Sequence, residues 1–148
     1  MGTVEASFEK ARTLKVYSAP DEEAWAAERA QVTTDHTVAI YGRESGWVLV
    51  SYAIGDGSRG RTGYIDDMTL ADPSSVPLLD FFHMPLTLVR NAKATDDPLR
   101  SQSTITTLQK GSEVTLLAFF GDDWAYVETT HEEKICRLFI PASALKED

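Results

Sequence analysis

Apolar positions along this chain alternate more often than they recur every three or four residues. Around Trp47, the side chains of Val48, Val50 and Tyr52 fall on one side and those of Trp47, Leu49 and Ser51 on the other, the period-two pattern of a strand. The segments Thr37–Tyr41, Gly63–Ile65, Leu86–Arg90, Thr104–Leu108, Glu113–Phe119, Trp124–Glu128 and Ile135–Ile140 are β-branched or aromatic in the same way. Turn chemistry separates them at Arg43-Glu44-Ser45-Gly46, Gln109-Lys110-Gly111 and Gly121-Asp122-Asp123. Short strands with brief turns predict an all-β chain built as a small barrel or sandwich. One segment departs from this pattern. Pro20–Ala30 places Pro near a first helical position, three acids in the first turn and an Ala-rich remainder, which predicts a helix of roughly two to three turns. A shorter helical counterpart is expected at Leu99–Gln102, after Asp96-Asp97-Pro98.

The pattern occurs twice. Gly46-Trp47-Val48-Leu49-Val50 is echoed by Asp123-Trp124-Ala125-Tyr126-Val127, and Gly63-Tyr64-Ile65 by Leu138-Phe139-Ile140. Val38-Ala39-Ile40 matches Val114-Thr115-Leu116, and Leu70 matches Leu145. Four landmarks in one order, at shifts of 75 to 77, predict a duplicated unit. Charge divides evenly as well, with 7 basic and 12 acidic residues in 1–75 against 7 and 11 in 76–148. The expected division is a first module at 1–75 and a second at 76–148, meeting near Ala71-Asp72-Pro73-Ser74-Ser75. Residues 76–85 are too apolar for a solvated tether and are expected to pack against one or both modules.

Composition narrows the functional classes. The 148 residues carry a formal charge of −9, so a nucleic acid or an anionic membrane is a poor partner. No uncharged run approaches the roughly 20 apolar residues of a membrane span. A single cysteine, Cys136, excludes an internal disulfide framework and a thiolate metal cluster. The first residues lack the basic and apolar regions of an export signal, so the expectation is a cytoplasmic protein or an exported one lacking its leader.

The motifs that carry chemistry elsewhere have plain readings in this context. Gly55-Asp56-Gly57-Ser58-Arg59-Gly60 fits the spacing of a dinucleotide loop, but strand sequence follows where a helix is required, so a hairpin loop is expected. Cys136 alternates with Leu138 and Ile140 and is expected in a core, away from His131 in its polar turn. His36 and His83 have no second histidine nearby, and the acidic doublets lack a calcium-loop ladder, so no metal or cofactor is expected. The aromatic residues are the best candidates for ligand contact. Trp25, Tyr41, Trp47 and Tyr52 in one half, with Phe119, Phe120, Trp124 and Tyr126 in the other, offer flat amphipathic rings for a sugar or peptide.

Each half resembles the bacterial SH3-like domain, a five-stranded barrel that occurs in tandem in exported or wall-associated proteins. The likeness rests on Gly46-Trp47-(x2)-Val50-x-Tyr52 with Gly63-Tyr64-Ile65, and on Leu116-Leu117 leading to Trp124-(x2)-Val127 with Leu138-Phe139-Ile140-Pro141. It implies two tandem five-stranded barrels, the first carrying the helical insertion, with Trp47 and Trp124 at the groove position. Where other SH3-like domains have Pro-Ser-Asn-Tyr, this chain has Asp66-Asp67-Met68-Thr69 and Pro141-Ala142-Ser143-Ala144, so polyproline recognition is not implied. The resemblance implies instead a non-catalytic, extracytoplasmic or wall-associated module. Its ligand would be peptidoglycan or wall peptide, or a protein partner if the chain is a spacer or adaptor. A cysteine hydrolase using Cys136 is the remaining alternative.

Overall fold

The computed structural model describes residues 1–34 and 38–146, so His36 and Thr37 lie outside the described residues. The chain is all-β. Among the described residues, eleven strands run in order: β1 (Thr13–Lys15), β2 (Gln31–Thr33), β3 (Val38–Glu44), β4 (Trp47–Ile54), β5 (Arg59–Asp66), β6 (Met84–Thr87), β7 (Ala92–Thr95), β8 (Thr104–Leu108), β9 (Glu113–Phe120), β10 (Trp124–His131) and β11 (Lys134–Pro141). They form antiparallel sheets of two strands (β1-β2), three strands (β3-β4-β5) and six strands (β6-β9-β10-β11-β7-β8).

The same arrangement is built twice. Each half has a three-stranded meander, β3-β4-β5 or β9-β10-β11, followed by a 3₁₀ turn at Asp67–Thr69 or Ala142–Leu145. The 3₁₀ turn is tied back to the first hairpin by Asp67 N–H donating to Gly46 O (3.0 Å), and in the second half by Ala142 N–H donating to Asp123 O (2.8 Å). Glu9 N–H donates to Thr69 O, and Val89 N–H to Ala144 O, both at 2.9 Å. A preceding hairpin, β1-β2 or β7-β8, meets the last meander strand through the bridge Tyr17–Tyr64 or the pairing Thr95–Phe139. Close approach at the first bridge requires Gly63. A Cβ there would lie 2.7 Å from Tyr17 O and collide with the Val16 side chain.

Strand alternation sorts the meander residues into three cores. Val48, Val50, Tyr52 and Ile65 face a first core with Val16, Leu70 and Val76. Ala125, Val127, Cys136, Leu138 and Ile140 face a second. The opposite faces do not meet water. Leu49 and Tyr64 from one meander pack against Tyr126 and Phe139 from the other, with Tyr41 and Leu117 completing a third cluster between the halves. Leu49 and Tyr126, like Tyr64 and Phe139, hold equivalent positions in the repeat, so the two sheets meet through equivalent faces. Both faces of β4 are therefore apolar, and all of Val48–Tyr52 is buried.

Residues 76–87 sew the halves together. Arg43 N–H donates to Pro77 O (2.9 Å) and Leu79 N–H to Arg43 O (2.8 Å), a parallel bridge to β3. Phe82 N–H then donates to Leu117 O (2.8 Å), and β6 continues as a partner of β9. Val76 is buried in the first core, while Leu79 and Phe81 pack on the cluster between the halves. This segment packs against both halves, as its apolar composition predicts.

The helix predicted at Pro20–Ala30 is absent: the segment is a run of bends and turns. Tertiary contacts take the backbone groups a helix would use. Trp25 N–H donates to Ile135 O of β11 (2.8 Å), and Trp25 O accepts from both Ser18 N–H (3.0 Å) and Ser18 Oγ (2.6 Å). A short helix gains few bonds against a costly nucleus, so docking of Trp25 onto the second half overrides Ala propensity. Leu99–Gln102 is likewise not a helix. Its turn is organised by Asp97, whose carboxylate accepts from the amides of Arg100 (3.1 Å) and Ser101 (2.9 Å) and from Ser101 Oγ (2.6 Å). The strand expected at Leu86–Arg90 lies earlier, at Met84–Thr87, because Leu88 and Val89 turn to bond Ser112 and Ala144.

Candidate functional site

The eight candidate rings divide into buried and accessible sets, with Phe120 part-buried on the cluster between the halves. Tyr52 is 3% exposed inside the first core, with no protein hydrogen-bond partner for its hydroxyl among the described residues. Burial raises its pKa. Tyr41 and Tyr126 lie in the cluster between the halves, Tyr41 edge-on to Phe120 and Tyr126 stacked at 4.6 Å on Phe139. These three were expected to offer surface for a ligand. Strand alternation instead turns Tyr52 into its own core and Tyr126 towards the opposing sheet, so they hold the protein together.

Arg137 centres the polar part of that seam. Its side chain is 5% exposed, and its guanidinium donates to Glu44 Oε1 (2.9 Å) and Oε2 (3.1 Å), to Glu128 Oε1 (3.0 Å) and to Tyr64 Oη (2.9 Å). Tyr126 Oη donates to Tyr64 Oη at 3.4 Å. Burial opposes the charge on Arg137, but the Glu44 carboxylate and the two tyrosines outweigh it and raise its pKa. Burial also pushes the Tyr64 hydroxyl up to about 12, so it remains a neutral donor and acceptor. A second link joins the halves where Arg61 Nη1 donates to Asp96 Oδ2 (2.8 Å) and Gly60 N–H donates to Asp97 Oδ2 (3.0 Å).

Trp25, Trp47, Phe119 and Trp124 keep accessible ring surface. Trp25 is half-buried against the second core, donates from Nε1 to Glu132 Oε2 (3.0 Å) and meets His131 edge-on at 5.0 Å. Its partners are all within the protein, which makes it a clasp between the halves. Trp47 and Trp124 open equivalent strands but have different surroundings. Tyr17 covers Trp47 edge-on at 5.4 Å, whereas the position equivalent to Tyr17 in the second half is Thr95. Trp124 lines an open groove of about 540 Å³ with Pro141, Gln102, Asp122, Asp123 and Lys146. One indole beside carboxylates, an amide and an ammonium can stack on a flat ligand face and fix its polar edge. Phe119 belongs to a separate apolar groove of about 410 Å³ that includes Tyr41, Leu78, Leu79 and Phe82.

Sequence reasoning missed Gln102, Ser143 and Lys146 in the Trp124 groove, since no local pattern marks them as neighbours of a residue 19 to 22 positions away. It also missed Arg137 and Glu44, which are 93 residues apart. The signal available for the seam was the apolar character of both faces of β4 and β10.

Cys136 is fully buried in the second core, and burial pushes its thiol up to about 11. A thiolate nucleophile needs the opposite shift and access to substrate. His131 does not approach it in register, because Cys136 pairs with Thr129 and His131 with Lys134. Gly55–Ser58 form the loop of the β4-β5 hairpin, closed by Ile54 opposite Arg59, and no helix follows. Among the described residues, no three His, Cys, Asp or Glu side chains are grouped to hold a metal ion, and no helix is long and apolar enough to cross a membrane.

No family model and no curated protein matches the chain. Among solved structures, it is similar to NlpC2 from Trichomonas vaginalis, at 19% identity and a TM-score of 0.37, covering 96% of this chain and 50% of that one. NlpC1 from the same organism is similar at 17% identity and a TM-score of 0.34, covering 99% of this chain and 49% of that one. The chain thus spans about half the length of these two structures, and likeness at this level carries no conclusion about its chemistry.

Proposed function

We propose that this chain is a non-catalytic binding module: two SH3-like five-stranded barrels, at 1–75 and 76–148, that recognise cell-wall peptide or glycan outside the cytoplasm. The observation that carries the reading is the asymmetry of the repeat. The Trp47 position is closed by Tyr17, while the Trp124 position opens into a groove with polar groups around one indole. The ligand stacks on Trp124 and hydrogen-bonds to Gln102, Ser143 and the carboxylates of Asp122 and Asp123, and no bond is made or broken. Sedimentation of the protein with insoluble peptidoglycan tests this, beside a folded Trp124→Ala variant. Retention that is lost in the variant supports the reading, and a wild type that stays in the supernatant sinks it.

A protein-interaction adaptor is the second reading, favoured by the exposed apolar side chains of Leu78, Phe82 and Phe119 around the other groove. It predicts that Phe82→Ser/Phe119→Ser abolishes partner assembly while Trp124→Ala leaves it unchanged.

A further inference from the structure

We propose that the free edge of β8 is a docking strand for an acidic, extended segment of a partner protein. Strand β8 ends the six-stranded sheet, and β7 is its only strand partner among the described residues. An edge strand presents unpaired N–H and C=O groups along its outer side, and chains commonly blunt such edges with Pro or charge. The opposite edge of the same sheet follows that rule, because β6 contains Pro85. Strand β8 does not. Its sequence, Thr104-Ile105-Thr106-Thr107-Leu108, is uncharged, and four of the five residues are β-branched.

The charges around this edge select the partner. From Pro98 to Ser112 the chain contains no carboxylate, in a protein whose net charge is −9. Lys93, exposed, sits across from Thr107 in register, and Lys110, also exposed, lies two residues beyond the end of the strand. Neither lysine has an ion-pair partner among the described residues. The carboxylates that precede this stretch are committed elsewhere, Asp96 to Arg61 and Asp97 to the amides of Gly60, Arg100 and Ser101, and Glu113 follows it at the start of β9 without an ion pair to either lysine. A second copy of the chain is disfavoured, because its own β8 edge offers no carboxylate between Pro98 and Ser112 and a β8–β8 pairing leaves both lysines without a counter-charge. A strand with carboxylates at alternate positions completes the backbone ladder and neutralises both lysines. Five residues of β8 span about 17 Å, enough to pair with about five residues of such a segment.

The probe is a fluorescein-labelled octapeptide alternating glutamate and valine, titrated against the full chain by anisotropy, with hydrogen exchange locating the contact. Binding is expected to weaken on the order of tenfold in Lys93→Glu/Lys110→Glu and to fall as salt is raised from about 50 to 500 mM. The Thr104–Leu108 amides gain protection, and Trp124→Ala binds the peptide unchanged, which separates this surface from the Trp124 groove. Equal binding of a lysine–valine peptide or of a fully N-methylated glutamate–valine peptide overturns the proposal. So does protection confined to other strands, association of the protein with itself through β8, or no binding at millimolar peptide.

Discussion

Replacing Arg137 with Met keeps most of the side-chain volume and removes every polar contact at the centre of the seam. Four donor–acceptor contacts disappear, three of them to carboxylate oxygens of Glu44 and Glu128 and one to Tyr64 Oη. Each charge-assisted bond contributes about 1.5–3 kcal/mol when fully desolvated. The carboxylates are less secluded than the guanidinium, with Glu44 19% and Glu128 32% exposed, so part of the loss is recovered by hydration. Breaking a buried pair by removing one partner costs about 3–5 kcal/mol, and this exposure places Arg137→Met near the lower end, at about 3 kcal/mol. For a chain of 148 residues that corresponds to a fall in Tm of about 6–12 °C. The assay is urea denaturation followed by tryptophan fluorescence, completed as a double-mutant cycle with Glu44→Met. Because Arg137→Met/Glu44→Met removes both sides of the bidentate pair and leaves only the part-exposed Glu128 carboxylate without its partner, it is expected to recover about half of the single-variant loss. A loss below about 1 kcal/mol for Arg137→Met, or a cycle with no coupling, would show that the seam is held by its aromatic packing alone.

Gly63→Ala should destabilise the protein by about 3 kcal/mol in the same denaturation assay, because its Cβ meets the Tyr17 carbonyl and the Val16 side chain; an unchanged midpoint would mean that the bridge can open at little cost. Glu132 and Glu133 both have positive φ, 51° and 67°, in the two-residue turn between β10 and β11, so Glu133→Gly should raise stability by roughly 0.5–1 kcal/mol, read as a higher melting temperature. The Cys136 pKa is raised in the fold, so its neutral thiol contributes stability that is complete below about pH 8 and lost as pH rises towards 11. Cys136→Val should therefore flatten the alkaline limb of the stability–pH curve, and an identical limb in both proteins would place the thiol in contact with solvent.

Much of the framework was legible because it is local. Thr104–Leu108, Glu113–Phe119 and Ile135–Ile140 announce themselves by β-branched and aromatic content, and each lies within a residue of its strand. Strand β7 did not, because Ala92-Lys93-Ala94-Thr95 has little intrinsic preference and is held in place by β8 and β11 on either side. The three-residue strands β1 and β2 are too short to show a period. Pro20–Ala30 is the reverse case: a good local helix signal overruled by contacts with a strand more than 100 residues away. Alternation correctly turned Trp47 and Trp124 away from their own cores. It could not show that Tyr17 covers one and that the other opens into a groove, since that difference depends on what each half packs against.

The most direct test of the account is chemical-shift mapping of the full chain with a soluble muramidase digest of peptidoglycan. The account predicts saturable shifts in the Trp124 indole and in the amides of Gln102, Asp122, Asp123 and Ser143, while the Trp25 and Trp47 indoles stay in place. Shifts centred on Leu78, Phe82 and Phe119, or no shifts at saturating digest, would contradict it.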